Sequence, residues 1–225
     1  TGLKIDPSKG NTIEFWMKKD GWDPVSSSAE TIFDIGSYPG KLDTDESGQI
    51  KLYLSASSGS PFRLTYEVGP SGSADWQIGS TNLTTSSVGD SAWHHYAFKM
   101  WHEGDKLYTK MYIDGEVDSL QSTSVGTMPT VDSYMGGTIA ADHSGNFANF
   151  SGSIDDFRYW KGLRTAREVT RFYDKKVYAS DTRSSEYTNR LGAYYRFNKS
   201  PRGLNSVDSL AVDSSGNDIV GRVKH

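Results

Sequence analysis

The stretch FSGSIDDFRYWKGLRTAREVTRFY, Phe150 to Tyr173, carries the signals of a β-strand and of a helix start. Ile154, Phe157, Tyr159 and Trp160 form a short aromatic-rich run that begins after Gly and Ser, which predicts a strand. Thr165 followed by Glu168 fits a capping box, and apolar residues then recur at helical spacing. The stretch therefore predicts a strand followed by a short helix, from about Thr165 to Lys175, that packs on a sheet.

Short apolar or alternating runs bounded by Gly, Pro, Ser and Asp recur along the rest of the chain. In TIEFWMK, residues 12–18, the apolar side chains share one face, which is typical of a half-buried antiparallel strand. Asp114-Gly115 between two alternating runs predicts a tight hairpin. Because such strand signals dominate and only one helix stands out, the sequence predicts an all-β fold of two antiparallel sheets packed as a sandwich, with more than ~10 strands.

Composition excludes several classes of function. The 225 residues include 24 basic and 28 acidic side chains, interspersed along the chain, and the formal net charge is −4. No basic field exists to attract nucleic acid, so no nucleic-acid partner is expected. No apolar run approaches the ~20 residues of a membrane span, so no membrane insertion is expected. The absence of cysteine removes disulfides, thiolate metal sites and cysteine nucleophiles.

Two adjacent acids, Asp155 and Asp156, interrupt the apolar strand of the opening stretch. Strict alternation would set Asp155 on the face of Phe157 and Tyr159, and Asp156 on the face of Arg158. An unpaired buried carboxylate costs several kcal/mol, so an inward Asp155 needs a partner. That partner is either a hard cation or a set of backbone N–H groups or basic side chains, and Asp156 is expected to be a surface partner of Arg158.

Three segments resemble, in order, the laminin G-like (concanavalin A-like) jelly-roll family: TIEFWMK, then WHHYAFKM leading to KMYIDGEV, then the opening stretch. The resemblance covers about residues 1–175 and implies a concanavalin A-like jelly roll. We expect residues 1–180 to form this sandwich. The segment 181–225 is expected to complete it with a strand at about 192–198 that pairs next to the N-terminal strand, although the segment is alternatively the start of a following repeat.

The same resemblance implies a structural calcium ion. In the family, the Asp of the Ile-Asp pair lies close to such an ion, and a loop like VDSSGND, residues 212–218, approaches it. The predicted ligands are therefore Asp155, Asp213 and Asn217, with an ordinary Asx turn as the alternative for the loop. A second acidic segment, DTDESG at 43–48, matches a calcium loop only in part and is expected to be a solvated turn.

Members of this family are mostly non-catalytic modules that bind glycans or proteins, and they occur in phage virion proteins and in secreted bacterial proteins. The resemblance therefore implies a binding or adhesion module of a larger protein at a virion surface or outside the cell. Its partners would be a glycan or a protein surface, together with other virion or extracellular domains. Aromatic and polar side chains in or near loops are the candidate ligand contacts: Trp22, Tyr38, Trp76, Trp101, Asp142, His143 and Asn146.

Two other classes of function stay open, a carbohydrate-active enzyme or its accessory carbohydrate-binding module, and a structural virion appendage without a ligand. Glycoside hydrolases of the same fold place their acids on one strand as Glu-x-Asp-x-Glu or Glu-x-Asp-x-x-Glu. Glu116 and Asp118 fit the first two positions, but Gln121 stands in the third and cannot donate a proton with a tuned pKa. The sequence therefore predicts that the chain is not an enzyme.

Overall fold

The computed structural model describes residues 2–21, 29–37, 47–55, 59–69, 72–131, 135–142, 147–177, 190–197, 210–219 and 221–222. Within these ranges the chain forms fourteen strands and two helices. The strands are β1 (Asn11–Asp20), β2 (Glu30–Ser37), β3 (Gly48–Leu54), β4 (Phe62–Val68), β5 (Gly72–Gln77), β6 (Asp90–Glu103), β7 (Lys106–Ile113), β8 (Glu116–Ser124), β9 (Met135–Ile139), β10 (Ala148–Asn149), β11 (Ser153–Trp160), β12 (Leu191–Tyr195), β13 (Leu210–Ala211) and β14 (Gly221–Arg222). The helices are α1 (Thr85–Val88) and α2 (Ala166–Phe172).

Two six-stranded sheets form the body of the molecule. Sheet 1 has the order β12-β11-β1-β6-β7-β8, and sheet 2 has the order β10-β2-β3-β4-β5 with β9 also paired to β2. Strands β13 and β14 make a separate ribbon. The predicted all-β, two-sheet sandwich is confirmed. Neither helix in the described part of the chain is long and apolar enough to span a membrane.

The core lies between the sheets and is built from alternate residues of their strands. Ile13, Phe15 and Met17 of β1 are buried in it, as the alternation in TIEFWMK predicts. Phe15 contacts rings from both sheets, with centroids 5.9 Å from Phe98 and 6.3 Å from Phe33. The outer faces of both sheets are therefore free to carry polar side chains.

Strict alternation fails at the two acids of β11. Glu14 pairs with Arg158 and Trp16 pairs with Asp155, so Asp156 and Phe157 together oppose one residue of β1. This is a β-bulge, and Asp156 has φ +49 within it. The extra residue reverses the faces, so Asp155 lies beside Trp16 on the outer face while Phe157 lies in the core. The prediction that Asp155 shares the face of Phe157 was therefore wrong.

Helix α2 follows β11 as predicted. Its capping box is present, with the Thr165 backbone N–H 2.6 Å from Glu168 Oε2 and the Glu168 N–H 3.2 Å from Thr165 Oγ1. The apolar side of the helix packs through Val169 against Ala97 and Tyr112 on the outer face of sheet 1. The four-residue helix α1 was not predicted, because a single turn is too short to show helical periodicity.

A buried cluster of charges fixes α2 to sheet 1. The Glu14 carboxylate is fully buried and accepts hydrogen bonds from Arg164 Nη1 at 2.7 and 2.9 Å and from Arg158 Nη1 at 3.4 Å. Arg158 also donates to the carbonyls of Phe172 and Lys175, at 3.1 and 2.7 Å, and so satisfies groups at the end of α2 that lack helical partners. Burial alone would raise the pKa of Glu14, but Arg164 and Arg158 lower it.

Strand β12 belongs to sheet 1 and lies beside β11, not beside the N-terminal strand β1 as we expected. Leu191 and Tyr194 are buried with Trp160 on the outer face. On the edge of β12 that does not pair with β11, Tyr195 forms a β-bridge with Asp213. Residues 181–189, 198–209, 220 and 223–225 of the predicted C-terminal segment lie outside the described residues.

Replacing Glu14 by Gln should lower the free energy of unfolding by about 3–5 kcal/mol, because Arg164 then loses its buried counter-charge and Arg158 keeps only Asp156, 3.5 Å away. Urea unfolding at neutral pH measures this loss. Exposed Glu116→Gln is the matched control and should change stability by less than about 0.5 kcal/mol. The pKa of Glu14 is lower in the folded chain than its ordinary value. The stabilisation that Glu14 provides is therefore fully present above the ordinary Glu pKa and is lost as the pH falls through the pKa of the folded chain. A loss below about 1 kcal/mol would contradict this role.

Ending the chain at Arg190 should lower the melting temperature by roughly ten degrees. The truncation removes the burial of Leu191, Tyr194 and Trp160, each worth about 1.5–3 kcal/mol, and a domain of this size shifts by about 2–4 °C per kcal/mol. Exposed Val212→Ser is the control and should leave the melting temperature unchanged. An unchanged melting temperature in the truncated chain would mean that β12 and the residues after it contribute nothing to this folding unit.

Candidate functional site

The outer face of sheet 2 carries a group of interacting polar side chains. Its residues come from alternate positions of β2 to β5 and from the segment after β9, and we call this surface the polar face: Asp34, Gln49, Lys51, Tyr53, Arg63, Thr65, Asp75, Asp142 and Phe147. The strand register sets them in rows. Lys51 lies between Asp34 and Thr65, and Arg63 lies between Tyr53 and Gln77.

One half of the polar face centres on Lys51. Its ammonium group lies 3.0 Å from Asp142 Oδ1 and 4.1 Å from the centroid of the Phe147 ring. The Tyr53 ring lies 4.9 Å from the same ring, so two aromatic side chains and a cation meet at one point. Asp142 also accepts the Phe147 backbone N–H at 3.1 Å. Asp142 therefore connects Lys51 to Phe147 and fixes the position of both residues on the polar face.

The other half is a chain of hydrogen bonds across β3, β4 and β5. Arg63 Nε donates to the Tyr53 hydroxyl at 3.2 Å, and that hydroxyl lies 3.1 Å from both oxygens of Asp75. Burial and Asp75 raise the pKa of Tyr53, against the opposing effect of Arg63, so its hydroxyl is protonated at neutral pH. The side chains of Arg63 and Asp75 are 31% and 49% exposed, so donors and acceptors from this chain remain accessible to a ligand.

A strained backbone position stands next to this site. Ala140, just after β9, has φ +61, a left-handed conformation that is uncommon for a residue with a Cβ. Its N–H donates to the Ile32 carbonyl at 2.7 Å, and its own carbonyl accepts from Phe150 at 2.9 Å. Such strain persists only where surrounding contacts hold it, and it is concentrated at functional sites.

The structure separates the ligand contacts that the sequence predicts. Asp142 lies on the polar face, whereas the Trp76 ring packs against the core from the inner side of β5. Trp101 lies on the outer face of sheet 1, on the opposite side of the sandwich, where it stacks on Tyr108. The remaining predicted contacts lie outside the described residues: Trp22, Tyr38, His143 and Asn146, as do residues 43–46 of the acidic segment DTDESG.

Most of the polar face escaped the sequence analysis. Lys51 and Tyr53 are the outward positions of the run QIKLYL, and Arg63 is an outward position of FRLTYEV, so alternation implies that they lie on the outer face of the sheet. Which of these strands lie side by side is not contained in that pattern. The grouping becomes visible only with the strand order β10-β2-β3-β4-β5.

Two of the three predicted calcium ligands, Asp213 and Asn217, already have hydrogen-bond partners within the chain. Asp213 accepts hydrogen bonds from the backbone N–H groups of Tyr194 and Ser215 and from the Ser215 hydroxyl, so its oxygens are already engaged, as in an Asx turn. Asn217 uses its amide nitrogen, which donates to the carbonyls of Leu191 and Gly192. Within the described residues, no three His, Cys, Asp or Glu side chains are arranged to hold a metal.

Asp155 is better suited to a cation. Its Oδ1 accepts the backbone N–H of Asp156 at 2.9 Å, and no described residue donates to its Oδ2. Partial burial raises the pKa of Asp155, with Asp156 adding to the shift. Asp156 is differently placed, since it accepts the Tyr194 hydroxyl at 2.8 Å and lies 3.5 Å from Arg158 Nη2. The expected pairing of Asp156 with Arg158 is therefore found.

The residues compared with a hydrolase motif have other partners. Asp118 accepts the backbone N–H and the hydroxyl of Ser80, both at 2.7 Å. Gln121 Oε1 accepts the Gly79 N–H at 2.9 Å. These side chains attach the loop after β5 to the edge strand β8, and they lie in sheet 1, away from the polar face.

The chain is similar to several solved structures of distant proteins. Tailspike protein 2 of Escherichia coli O157:H7 bacteriophage CAB120 is 15% identical, with 89% of this chain and 25% of that chain covered and a TM-score of 0.50. A SAP-like pentraxin from Limulus polyphemus is 18% identical over 98% and 86% of the two chains, with a TM-score of 0.48. The CBM40 of Ruminococcus gnavus IT-sialidase, bound to α2,6-sialyllactose, is 13% identical over 73% and 82%, with a TM-score of 0.46.

None of the curated proteins compared with the chain matches it in sequence. A laminin G family model, described as the concanavalin A-like lectin/glucanases superfamily, matches residues 2–170. That range includes every strand of the polar face and the segment from β11 into α2, which carried the resemblance seen in the sequence. The chain belongs to the concanavalin A-like lectin/glucanases superfamily.

Proposed function

We propose that the chain is a non-catalytic module that binds a glycan on the polar face, as part of a virion-surface or extracellular protein. The observation that carries the proposal is the grouping of Phe147 and Tyr53 with the buried Lys51–Asp142 pair and the partly exposed Arg63–Asp75 pair on the outer face of sheet 2. Membership in a superfamily of lectins and glucanases supports a carbohydrate ligand.

The chemistry of the polar face suits sugar hydroxyls. A hydroxyl both donates and accepts, so it is bound well by neighbouring groups of opposite role, such as the Arg63 guanidinium and the Asp75 carboxylate. Apolar patches on a sugar ring pack on aromatic side chains such as Phe147. A large part of the site is fixed before binding by the Tyr53 hydrogen bonds and the buried Asp142, which limits the entropy lost when the ligand binds.

The non-catalytic part of the proposal rests on the partners of the acids. Asp118 and Gln121, at the second and third positions of the hydrolase-like motif, hold the loop at Gly79 and Ser80. On the polar face, Asp142 is ion-paired and Asp75 accepts the Tyr53 hydroxyl. A carboxyl group that protonates a leaving group must bring its own proton to the substrate, whereas Asp142 is buried in its ion pair and Asp75 accepts a proton from Tyr53 in a hydrogen bond.

The binding prediction is tested by screening the chain on an array of neutral and acidic glycans and then measuring the affinity of the strongest ligand by calorimetry. Arg63→Gln should weaken binding about tenfold or more, because a charge-assisted hydrogen bond is worth about 1.5–3 kcal/mol. Arg167→Gln on the exposed side of α2 is the matched control and should bind normally. Phe147→Ala should weaken binding further without a change in which glycan is preferred.

Three results would contradict the proposal and favour its alternatives. Absence of glycan binding would favour a protein partner or a structural virion appendage. Equal affinity in the Arg63→Gln and unsubstituted chains would place the ligand elsewhere. Hydrolysis of a bound glycan that is lost on replacing Glu116 would show an enzyme.

Calcium at Asp155 is a second proposal, supported by the raised pKa and the Oδ2 that no described residue donates to. An ion bound only by the folded state stabilises it by about 2.7 kcal/mol at a hundredfold excess over Kd, so calcium should raise the melting temperature by several degrees relative to a chelator. Asp155→Asn should abolish that difference, and Asp156→Asn is the control that should keep it. Identical melting curves in calcium and in chelator would show that Asp155 binds no ion.

A further inference from the structure

The outer face of sheet 1 carries a second, chemically different surface. Strands β6, β7 and β8 place their outward residues in three rows, set by the pairs Ala97 with Tyr112, Lys99 with Lys110, and Trp101 with Tyr108. Leu120 of β8 continues the lysine row, and Ser122 continues the row of Trp101 and Tyr108. Rows on one face are about 7 Å apart along the strands. We call the residues of these rows the lysine face.

The lysine row is electrostatically unfavourable on its own. Lys99 and Lys110 stand directly opposite each other, an arrangement of like charges that destabilises a sheet. Burial lowers the pKa of Lys99, and Lys110 lowers it further. No carboxylate oxygen of the described residues lies within ion-pair distance of either ammonium group. Positive charge is therefore concentrated here although the whole chain has a net charge of −4.

The nearest acid does not compensate the two lysines. Glu168 of α2 interacts with Lys99 at longer range and opposes the fall in its pKa. Its Oε2, however, accepts the Thr165 N–H at 2.6 Å in the capping box of α2. Moving this carboxylate to Lys99 would cost the helix its N-terminal cap, so the lysine row keeps its excess charge.

Hydrogen-bond donors surround the lysines. Trp101 and Tyr108 are stacked with their centroids 5.2 Å apart and an angle of 11° between planes, so an indole N–H and a phenol O–H lie in the adjacent row. On the other side, the Tyr112 ring centroid lies 6.0 Å from Lys99 Nζ and 5.5 Å from Lys110 Nζ. Tyr112 itself is buried, so the donors that a ligand can reach are the two ammonium groups and the partly exposed Trp101 and Tyr108. The lysine face therefore offers donors in excess of acceptors.

We infer that the lysine face is a binding site for the sulfate or carboxylate groups of an acidic polysaccharide. An oxyanion accepts hydrogen bonds from both ammonium groups and relieves their repulsion, which a neutral sugar cannot do. Because the donors of Trp101 and Tyr108 lie in a row about 7 Å from the lysines, the ligand that uses both rows is longer than a single ion. The site is independent of the polar face, which lies on the opposite sheet.

The test measures binding of dextran sulfate, polygalacturonate and neutral dextran by calorimetry at fixed salt. The chain should bind at least one of the acidic polymers and not dextran, and the two acidic polymers show whether sulfate or carboxylate is preferred. Lys99→Gln and Lys110→Gln should each weaken binding about tenfold or more, since each removes a charge-assisted contact. Lys176→Gln, an exposed lysine beyond α2, is the control for net charge and should weaken binding less than about twofold.

Folding and binding can be separated in these variants. Removing one member of a like-charge pair should leave the melting temperature unchanged or raise it, so lost affinity in Lys110→Gln cannot come from unfolding. Binding of a neutral glycan at the polar face should be unaffected in Lys110→Gln. The two proposed sites can therefore be confirmed or contradicted independently. The inference is overturned if neither acidic polymer binds, if dextran binds equally, or if Lys176→Gln weakens binding as much as Lys110→Gln.

Discussion

The buried carboxylate of Glu14 is the interaction on which the arrangement of the outer elements depends. A charge removed from water costs several kcal/mol unless it is paired, and here Arg164 and Arg158 supply the pairing. Arg158 is the cross-strand neighbour of Glu14, whereas Arg164 reaches the carboxylate only when the segment after β11 turns back over sheet 1. Because Arg158 also holds the last carbonyls of α2, the position of the helix is specified by hydrogen-bond geometry as well as by the contact of Val169.

This arrangement covers only part of sheet 1, and the outer faces of the two sheets differ in their chemistry. The polar face on sheet 2 mixes acids, cations and aromatic rings, and its charged groups are largely paired with each other. The lysine face on sheet 1 holds two cations without a close counter-charge. A paired, balanced surface suits the hydroxyl groups of a sugar, whereas an unbalanced surface of donors suits an oxyanion.

The sequence predicted the sandwich and α2 because their signals are local. Alternation in TIEFWMK and the Thr165–Glu168 capping box depend only on neighbouring residues, and both are found. The face of Asp155 was predicted wrongly because one extra residue in a bulge reverses alternation, and neither Asp155 nor Asp156 marks a bulge in the sequence. The polar face depends on which strands are neighbours. That order is set by contacts between distant residues, such as Lys51 with Asp142, which a single sequence does not display.

The central claim is that the polar face of this superfamily member is where a glycan binds. The most direct measurement is nuclear magnetic resonance of the isotope-labelled chain during titration with the strongest glycan from the array. The account predicts that the amide signals of Lys51, Tyr53, Arg63, Asp75 and Phe147 shift together with one affinity while those of β6 to β8 stay in place. Shifts confined to other parts of the chain, with the signals of these five residues unmoved, would contradict it.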